Sequence, residues 1–246
     1  MTGGSGVSWE ERFERFAVLK TRDAVEAQVA PFATEIDRAS QFGAPAFVAV
    51  GNRWTSGLFD GPFYISPVDD TLPTTNLVFV QSADLNTVAD DPGALGGGNT
   101  DKHVVYEGLS RVAADAVLAG AETIRGGDVV FSVWHPELVA MRDELGLPRH
   151  PVQIVATRRG VDFAHTLLLN VPSVPVVILT VDAVARQIEP AVAERPWIRL
   201  VTLRPPTELT TAFAGLRASG MRRISAVGGR TLATALLDAG IVDDLS

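Results

Sequence analysis

From Leu77 to its end the chain alternates short apolar runs with stretches of helical period, a rhythm that few folds accommodate. Residues 77–82 (LVFVQS), 114–120 (ADAVLAG), 152–157 (VQIVAT), 175–180 (PVVILT), 198–203 (IRLVTL) and 224–227 (ISAV) are short, apolar and bounded by turn-forming residues. Strands buried on both faces read this way. Helical period fills the gaps. Pro136 stands at a first-turn position, Leu138, Met141 and Leu145 point inward, and Gly146 follows the last turn. Residues 182–194 and 207–219 are helical too, as are Leu232, Ala235, Leu236 and Ala239 up to Gly240. A further helix is expected after Gly96-Gly97-Gly98, capped by Asn99 or Thr100, with Val105, Leu109 and Val112 on its inner face. This alternation predicts an α/β domain whose mostly parallel central sheet carries helices on both faces.

In such a sheet ligands gather beyond the carboxyl ends of the strands. Four turns after strands hold polar or glycine chemistry: 82–87 (SADLNT), 120–125 (GAETIR), 157–160 (TRRG) and 228–231 (GGRT). Gly228 and Gly229 lack a Cβ at the mouth of a helix, so a bulky anion can approach the main chain and meet the free N–H groups of the first turn. A tight connection within an α/β domain explains the same two glycines equally well. Together the four turns describe a crevice with two anion-friendly bends, a pair of arginines and one carboxylate, which suits a dinucleotide and a small polar substrate.

Composition removes several other classes. The 246 residues are 46% apolar, enough to fill a sizeable core, yet no apolar run approaches the roughly 20 residues that cross a bilayer. The N-terminus, MTGGSGVSWEERFERF, has acidic residues and no hydrophobic signal core, so the chain reads as cytoplasmic with no membrane partner. Without cysteine there is no disulfide, thiolate nucleophile or cysteine–zinc site. A formal charge of −8 argues against a nucleic-acid partner. His103, His135, His150 and His165 show no paired helical spacing and no acidic companion motif, so no metal is assigned. Neither a Gly-x-Ser-x-Gly elbow nor a phosphate-binding lysine loop is present.

Residues 1–73 read as a helical and irregular extension ahead of the domain at 74–246. Helix is expected over 8–38, where Phe13, Phe16, Val18 and Leu19 precede a second amphipathic stretch of Val25, Val29, Phe32 and Ile36, packed on the main domain. Residues 51–73 read as an ordered, irregular connection in which Trp54, Phe59, Phe63 and Tyr64 form a satellite core.

The segments SRVAADAVLAGAETIR (110–125) and VGGRTLATALLDAGIVDDL (227–245), in this order and spacing, resemble the reductase domain of riboflavin biosynthesis, the C-terminal half of a bifunctional deaminase-reductase. That family has the dihydrofolate-reductase-like fold. SADLNTVA (82–89) is similar to its Ser-Leu-Asp-Gly-Lys segment, and VATRRGVD to the strand and loop that meets an adenosine 2′-phosphate. The resemblance implies NADPH as cofactor, with Gly228, Gly229 and Thr231 at the pyrophosphate, Gly120 and Thr123 at the nicotinamide-side ribose and phosphate, and Thr157 with Arg158 selecting NADPH over NADH. It implies Asp84 beside the reacting heterocycle as the catalytic candidate. Ser82, Asn86, Asn99, Thr100 and Arg111 fall at its substrate side. The implied reaction is hydride transfer to 5-amino-6-(5-phosphoribosylamino)uracil, in a homodimer where the C-terminal segment is present.

Several positions depart from the family pattern. Leu85 and Asn86 replace its glycine and lysine, and Val227 stands where it has glutamate. Asp128, His135 and Arg142 are only approximate stand-ins for its phosphoribosyl-holding segment. The chain stops at 242–246 (VDDLS), where the family continues into final strands, so the last strands are expected to be missing. These departures keep two alternatives open: an NADPH-dependent reductase of another small molecule, pterin-like or other, and a non-catalytic nucleotide-binding or assembly relic of the fold.

Overall fold

A computed structural model describes residues 6–31, 48–59, 61–80, 96–125, 127–204 and 208–246. The chain opens with helix α1 (Trp9–Glu26), then strand β1 (Val48–Val50), helix α2 (Arg53–Leu58), and strands β2 (Phe63–Ile65) and β3 (Thr74–Val78). One turn of α-helix (Gly98–Thr100) runs into a wide π-helix (Asp101–Arg111), and the two are taken together as α3. Then come β4 (Ala116–Gly120), α4 (Ala121–Ile124), α5 (Pro136–Glu144), β5 (Val152–Thr157), β6 (Val176–Val181), α6 (Asp182–Ala193) and β7 (Ile198–Leu203). The chain closes with α7 (Glu208–Ala218), β8 (Arg223–Val227), α8 (Arg230–Asp238) and β9 (Asp244–Leu245).

Among the described residues, seven strands form one sheet in the order β7-β6-β5-β4-β8-β3-β9, and each pairing in it is parallel. Alternation along the strands divides the core between its two faces, as a period of two requires. Val177 and Leu179 pack with Phe213 and Leu216 of α7 and with Ala233 and Leu236 of α8. Val176 and Ile178 point the other way, toward Val184 and Ile188 of α6 and toward Trp9 and Phe16 of α1. On that same second side, Tyr106 of α3 covers Val117, Ala119 and Val227. Helices thus lie on both faces, as the alternation predicts.

The N-terminal part differs from its expected form. α1 begins at a capping box, in which Ser8 Oγ accepts from Glu11 N–H and the Glu11 carboxylate accepts from Ser8 N–H, but it stops at Glu26. Val18 and Val25 are 70% and 60% exposed, so the apolar period continues with no surface among the described residues burying it. Phe32 and Ile36 lie outside the described residues. The 51–73 connection is more regular than expected: β1 and β2 pair antiparallel, with α2 between them. Phe59 and Phe63 form the satellite core edge to face, Trp54 packs against it while stacking on His135 at 4.2 Å, and Tyr64 is exposed.

Two further expectations are corrected. Neither Asn99 nor Thr100 caps α3, because both lie in its first turn behind Gly97, and Thr100 Oγ1 accepts instead from Ala30 N–H at 3.0 Å. The inner face of α3 is His103, Val104, Glu107, Gly108, Ser110 and Arg111; Val105 and Leu109 pack on the core only partly buried, and Val112, just past the helix, is buried as expected. Bonding i→i+5 turns the helix by more residues per turn, so the buried stripe drifts from the 3.6 spacing. At the C-terminus, β9 does add a strand to the sheet edge: Asn76 and Leu77 of β3 pair with Asp244 and Leu245.

Candidate functional site

The strand order contains one reversal. From β4 the chain steps outward through β5 and β6 to β7, then returns across the sheet to insert β8 between β4 and β3. Connections leave β4 and β8 toward opposite faces, which opens a crevice beyond the carboxyl ends of this pair. Leu118 is paired with Ala226, so Gly120 and Gly228 end their strands at the same level. On the other flank Gly120 is paired with Ala156, which puts Thr157 beside it. Three of the four turns read from the sequence, 120–125, 157–160 and 228–231, therefore meet on one rim. Residues 82–87 of the fourth, with Ser82, Asp84 and Asn86, lie outside the described residues.

The rim's main chain is open to a ligand. Among the described residues, the N–H groups of Gly228, Gly229, Arg230 and Thr231 donate to no backbone or side-chain acceptor, while Gly229 C=O already accepts from Leu232 and Ala233. A Cβ at Gly229 would have no atom within 4 Å, and one at Gly120 would meet only Thr123 Oγ1, at 4.0 Å. These open glycines and unoccupied amides form an anion cradle at the start of a nine-residue helix, and the residues present fit a dinucleotide pyrophosphate.

Thr157 and the arginines after it are arranged by their own turn. Thr157 Oγ1 donates to Gly160 O at 2.8 Å and accepts from Arg159 N–H at 3.2 Å, and Gly160 takes the positive φ of 92° that closes the loop. The buried hydroxyl therefore shapes the loop that presents Arg158 and Arg159 at the surface. Glu122 Oε1 lies 3.2 Å from Arg159 Nη2 and 3.0 Å from Arg125 Nη2. Thr123 and Thr231 are exposed on the same rim.

Arg111 lies elsewhere. Its guanidinium is buried between the rings of Tyr106 and Phe131, at 5.5 and 5.4 Å, and donates to Ser132 O at 3.4 Å. Phe131 is bonded through its main chain to Gln153, near the amino end of β5, so these contacts hold Arg111 toward the opposite edge of the sheet. Burial lowers its pKa to about 10, and the nearby Glu107 carboxylate opposes that shift. Asn99 is exposed, and Thr100 is tied to the N-terminal segment.

Two of the four histidines stand beside a carboxylate. Buried His103 places Nδ1 3.3 Å from Glu107 Oε1 one turn later, while Glu107 Oε2 accepts from the N–H groups of Trp134 and His135 at 2.8 and 3.1 Å. On the surface His165 Nδ1 lies 2.8 Å from Asp162. The i,i+4 spacing of His103 and Glu107 was the available signal. Among the described residues, no group of three or more such side chains is placed to hold a metal ion, and no helix is long and apolar enough to cross a membrane.

No curated protein sequence matches the chain. Among solved structures, a pyrimidine reductase-like protein from Corynebacterium diphtheriae is 23% identical with a TM-score of 0.54, over 70% of this chain and 72% of that one. RibD from Acinetobacter baumannii is 21% identical with a TM-score of 0.52, over 71% of this chain and 45% of its own length. Likeness at this level shows the fold, which is dihydrofolate-reductase-like. The family described as the RibD C-terminal domain matches residues 74–246, and to that family this chain belongs.

Proposed function

We propose that this protein is an NADPH-dependent reductase of the riboflavin-biosynthesis type, acting on 5-amino-6-(5-phosphoribosylamino)uracil. The observation that carries the reading is the run of four main-chain N–H groups at 228–231 that meet no acceptor among the described residues, beside the open face of Gly120. When bound, NADPH would supply a hydride to the electrophilic C1′ of the opened ribosylamine. Gly228, Gly229 and Thr231 would hold the pyrophosphate, and Gly120 and Thr123 the nicotinamide-side ribose and phosphate. Thr157 braces the turn from which Arg158 would meet the 2′-phosphate. Asp84 would hold the proton that the reduced group takes up, while Ser82, Asn86, Asn99 and Thr100 contact the pyrimidine and its phosphoribosyl group. Arg111, buried and bonded to Ser132 O, serves that side by fixing α3. The family's domain at 74–246 would carry all of this, with 1–73 as its extension, in a cytoplasmic homodimer.

A second reading keeps the cofactor and changes the substrate. Val227, where the family has glutamate, is buried with Val78, Val117 and Ala119 under Tyr106, so this floor of the crevice is apolar. A less polar substrate, pterin-like or other, fits such a floor better. Calorimetric titration with NADPH and NADH tests the shared part: NADPH should bind at micromolar strength and more tightly than NADH, whereas binding of neither removes both readings and leaves the non-catalytic relic. Absorbance at the nicotinamide band then separates the substrates. Loss of that band on adding the pyrimidine supports the first choice, and a constant signal with cofactor bound favours the second.

A further inference from the structure

Glu122 sits on the rim with one carboxylate oxygen between two guanidinium groups, those of Arg125 at 3.0 Å and Arg159 at 3.2 Å. Two arginines converging on one oxygen are what a bound phosphate usually receives. All three side chains are more than half exposed. Exposed pairs of this kind are weak and screened by salt, so an incoming anion can replace the carboxylate at small cost. Arg159 lies next to Arg158, the residue assigned above to the 2′-phosphate, and its N–H is bonded to Thr157 Oγ1, so the loop is held while the guanidinium stays on the surface.

We propose that Glu122 is a specificity-determining residue: an internal counter-ion, standing where a phosphate oxygen would, that a phosphorylated cofactor must displace from Arg159. The inference rests on the NADPH reading and deepens it. With Glu122 charged, the cluster of Glu122, Arg125 and Arg159 carries a formal charge of about +1, and neutralising the carboxylate raises it to about +2. A dianionic 2′-phosphate responds to that change much more than a ribose hydroxyl does. Glu122 therefore moderates the preference for the phosphorylated cofactor.

The test is titration of the full chain with NADPH and NADH, at about 50 mM and about 500 mM salt, for wild type, Glu122→Gln, Arg159→Ala and the double variant. Glu122→Gln should tighten NADPH about two- to fivefold at low salt, leave NADH nearly unchanged, and lose most of its gain at high salt. On the Arg159→Ala background the same substitution should give less, because the partner it releases is gone. Wild-type binding of NADPH with no change or a loss in Glu122→Gln overturns the counter-ion role while leaving the cofactor reading intact. So does an equal gain for NADH, or full additivity in the double variant. Failure of wild type to bind either nucleotide overturns the cofactor reading, and the role of Glu122 with it.

Discussion

Arg142 and Arg159 carry the same guanidinium and meet opposite surroundings. Arg142 is 1% exposed and donates to the carbonyls of Arg111, Val112 and Ala114 from Nη1, and to that of Pro148 from Nε and Nη2, at 2.8–3.2 Å. It ties the end of α3, the approach to β4 and the loop after α5 into one block. Arg159 is exposed and meets one surface carboxylate. The same contrast holds for whole neighbourhoods. Around α3 and α5 the buried charges of Glu107, Arg111 and Arg142, and the half-buried Arg149, bond to the protein's own backbone and to the Ser132 hydroxyl, with the Arg111 Nε left over. At the β4–β8 rim, main-chain donors are open and the charges lie outside. Burial lowers both Arg111 and Arg142 to about 10, so both keep their charge near neutrality. In this chain the strongest electrostatic perturbation marks a structural joint, whereas the candidate site is marked by unoccupied amides.

Replacing each kind of residue should separate the two regions. Arg142→Leu keeps bulk but removes the donors from three buried carbonyls and that of Pro148, and should cost about 3–5 kcal/mol of stability, read from denaturant unfolding. A loss under about 1 kcal/mol would mean that water or relaxation serves those carbonyls, and the contrast with the rim would fail. Two glycines sharpen it further. A Cβ at Gly108 would stand 2.6 Å from Phe63 Cζ, so Gly108→Ala should cost about 1–3 kcal/mol by pushing β2 off α3. Gly229 has φ −71° and open space around it, so Gly229→Val should lower stability by no more than about 1 kcal/mol while weakening NADPH about tenfold. If Gly229→Val bound NADPH as wild type does, the cradle would not be where the pyrophosphate lies.

Much of the sheet is legible because its strands are local signals. Residues 152–157 and 198–203 carry apolar and β-branched runs with turn residues outside, and β5 and β7 have those same ends. The diglycine bend is equally legible, since a strand, two residues without side chains and an amphipathic helix follow one another directly. The reversal that gives the bend its meaning is not, because inserting β8 between β4 and β3 depends on pairings more than a hundred residues apart. The α3 face was hidden for another reason. Its buried stripe includes His103, Glu107 and Arg111, which a search for apolar period passes over, and its wider winding shifts the stripe away from Val105 and Leu109. In α1 the reverse holds: Val18 and Val25 keep the apolar rhythm, yet both are exposed.

The smallest expected effect concerns pH and again belongs to the buried side. His150 Nδ1 lies 2.9 Å from Ser132 Oγ, and the same oxygen accepts from Arg149 Nη1 at 3.1 Å. Burial first, then repulsion from Arg149 and Arg142, pushes the ring's pKa down to about 4, so it is neutral in the folded protein at pH 7. A histidine in the unfolded chain titrates near 6.5, so between about pH 6.5 and 4 the unfolded state binds the extra proton. The contribution is therefore complete above about pH 6.5 and declines as pH falls toward 4. Its slope is at most about 1.4 kcal/mol per pH unit, and less because the ring keeps some solvent access. His135, also lowered chiefly by burial, adds to the decline in the same direction. His150→Phe keeps an aromatic ring beside Phe13 and Trp134 but cannot take a proton. Urea midpoints at pH 7.5 and pH 5 should fall less in this variant than in wild type. An equal fall in both would show that His150 meets its proton as readily folded as unfolded, and that this side of the molecule is not the closed electrostatic joint that its contrast with the rim requires.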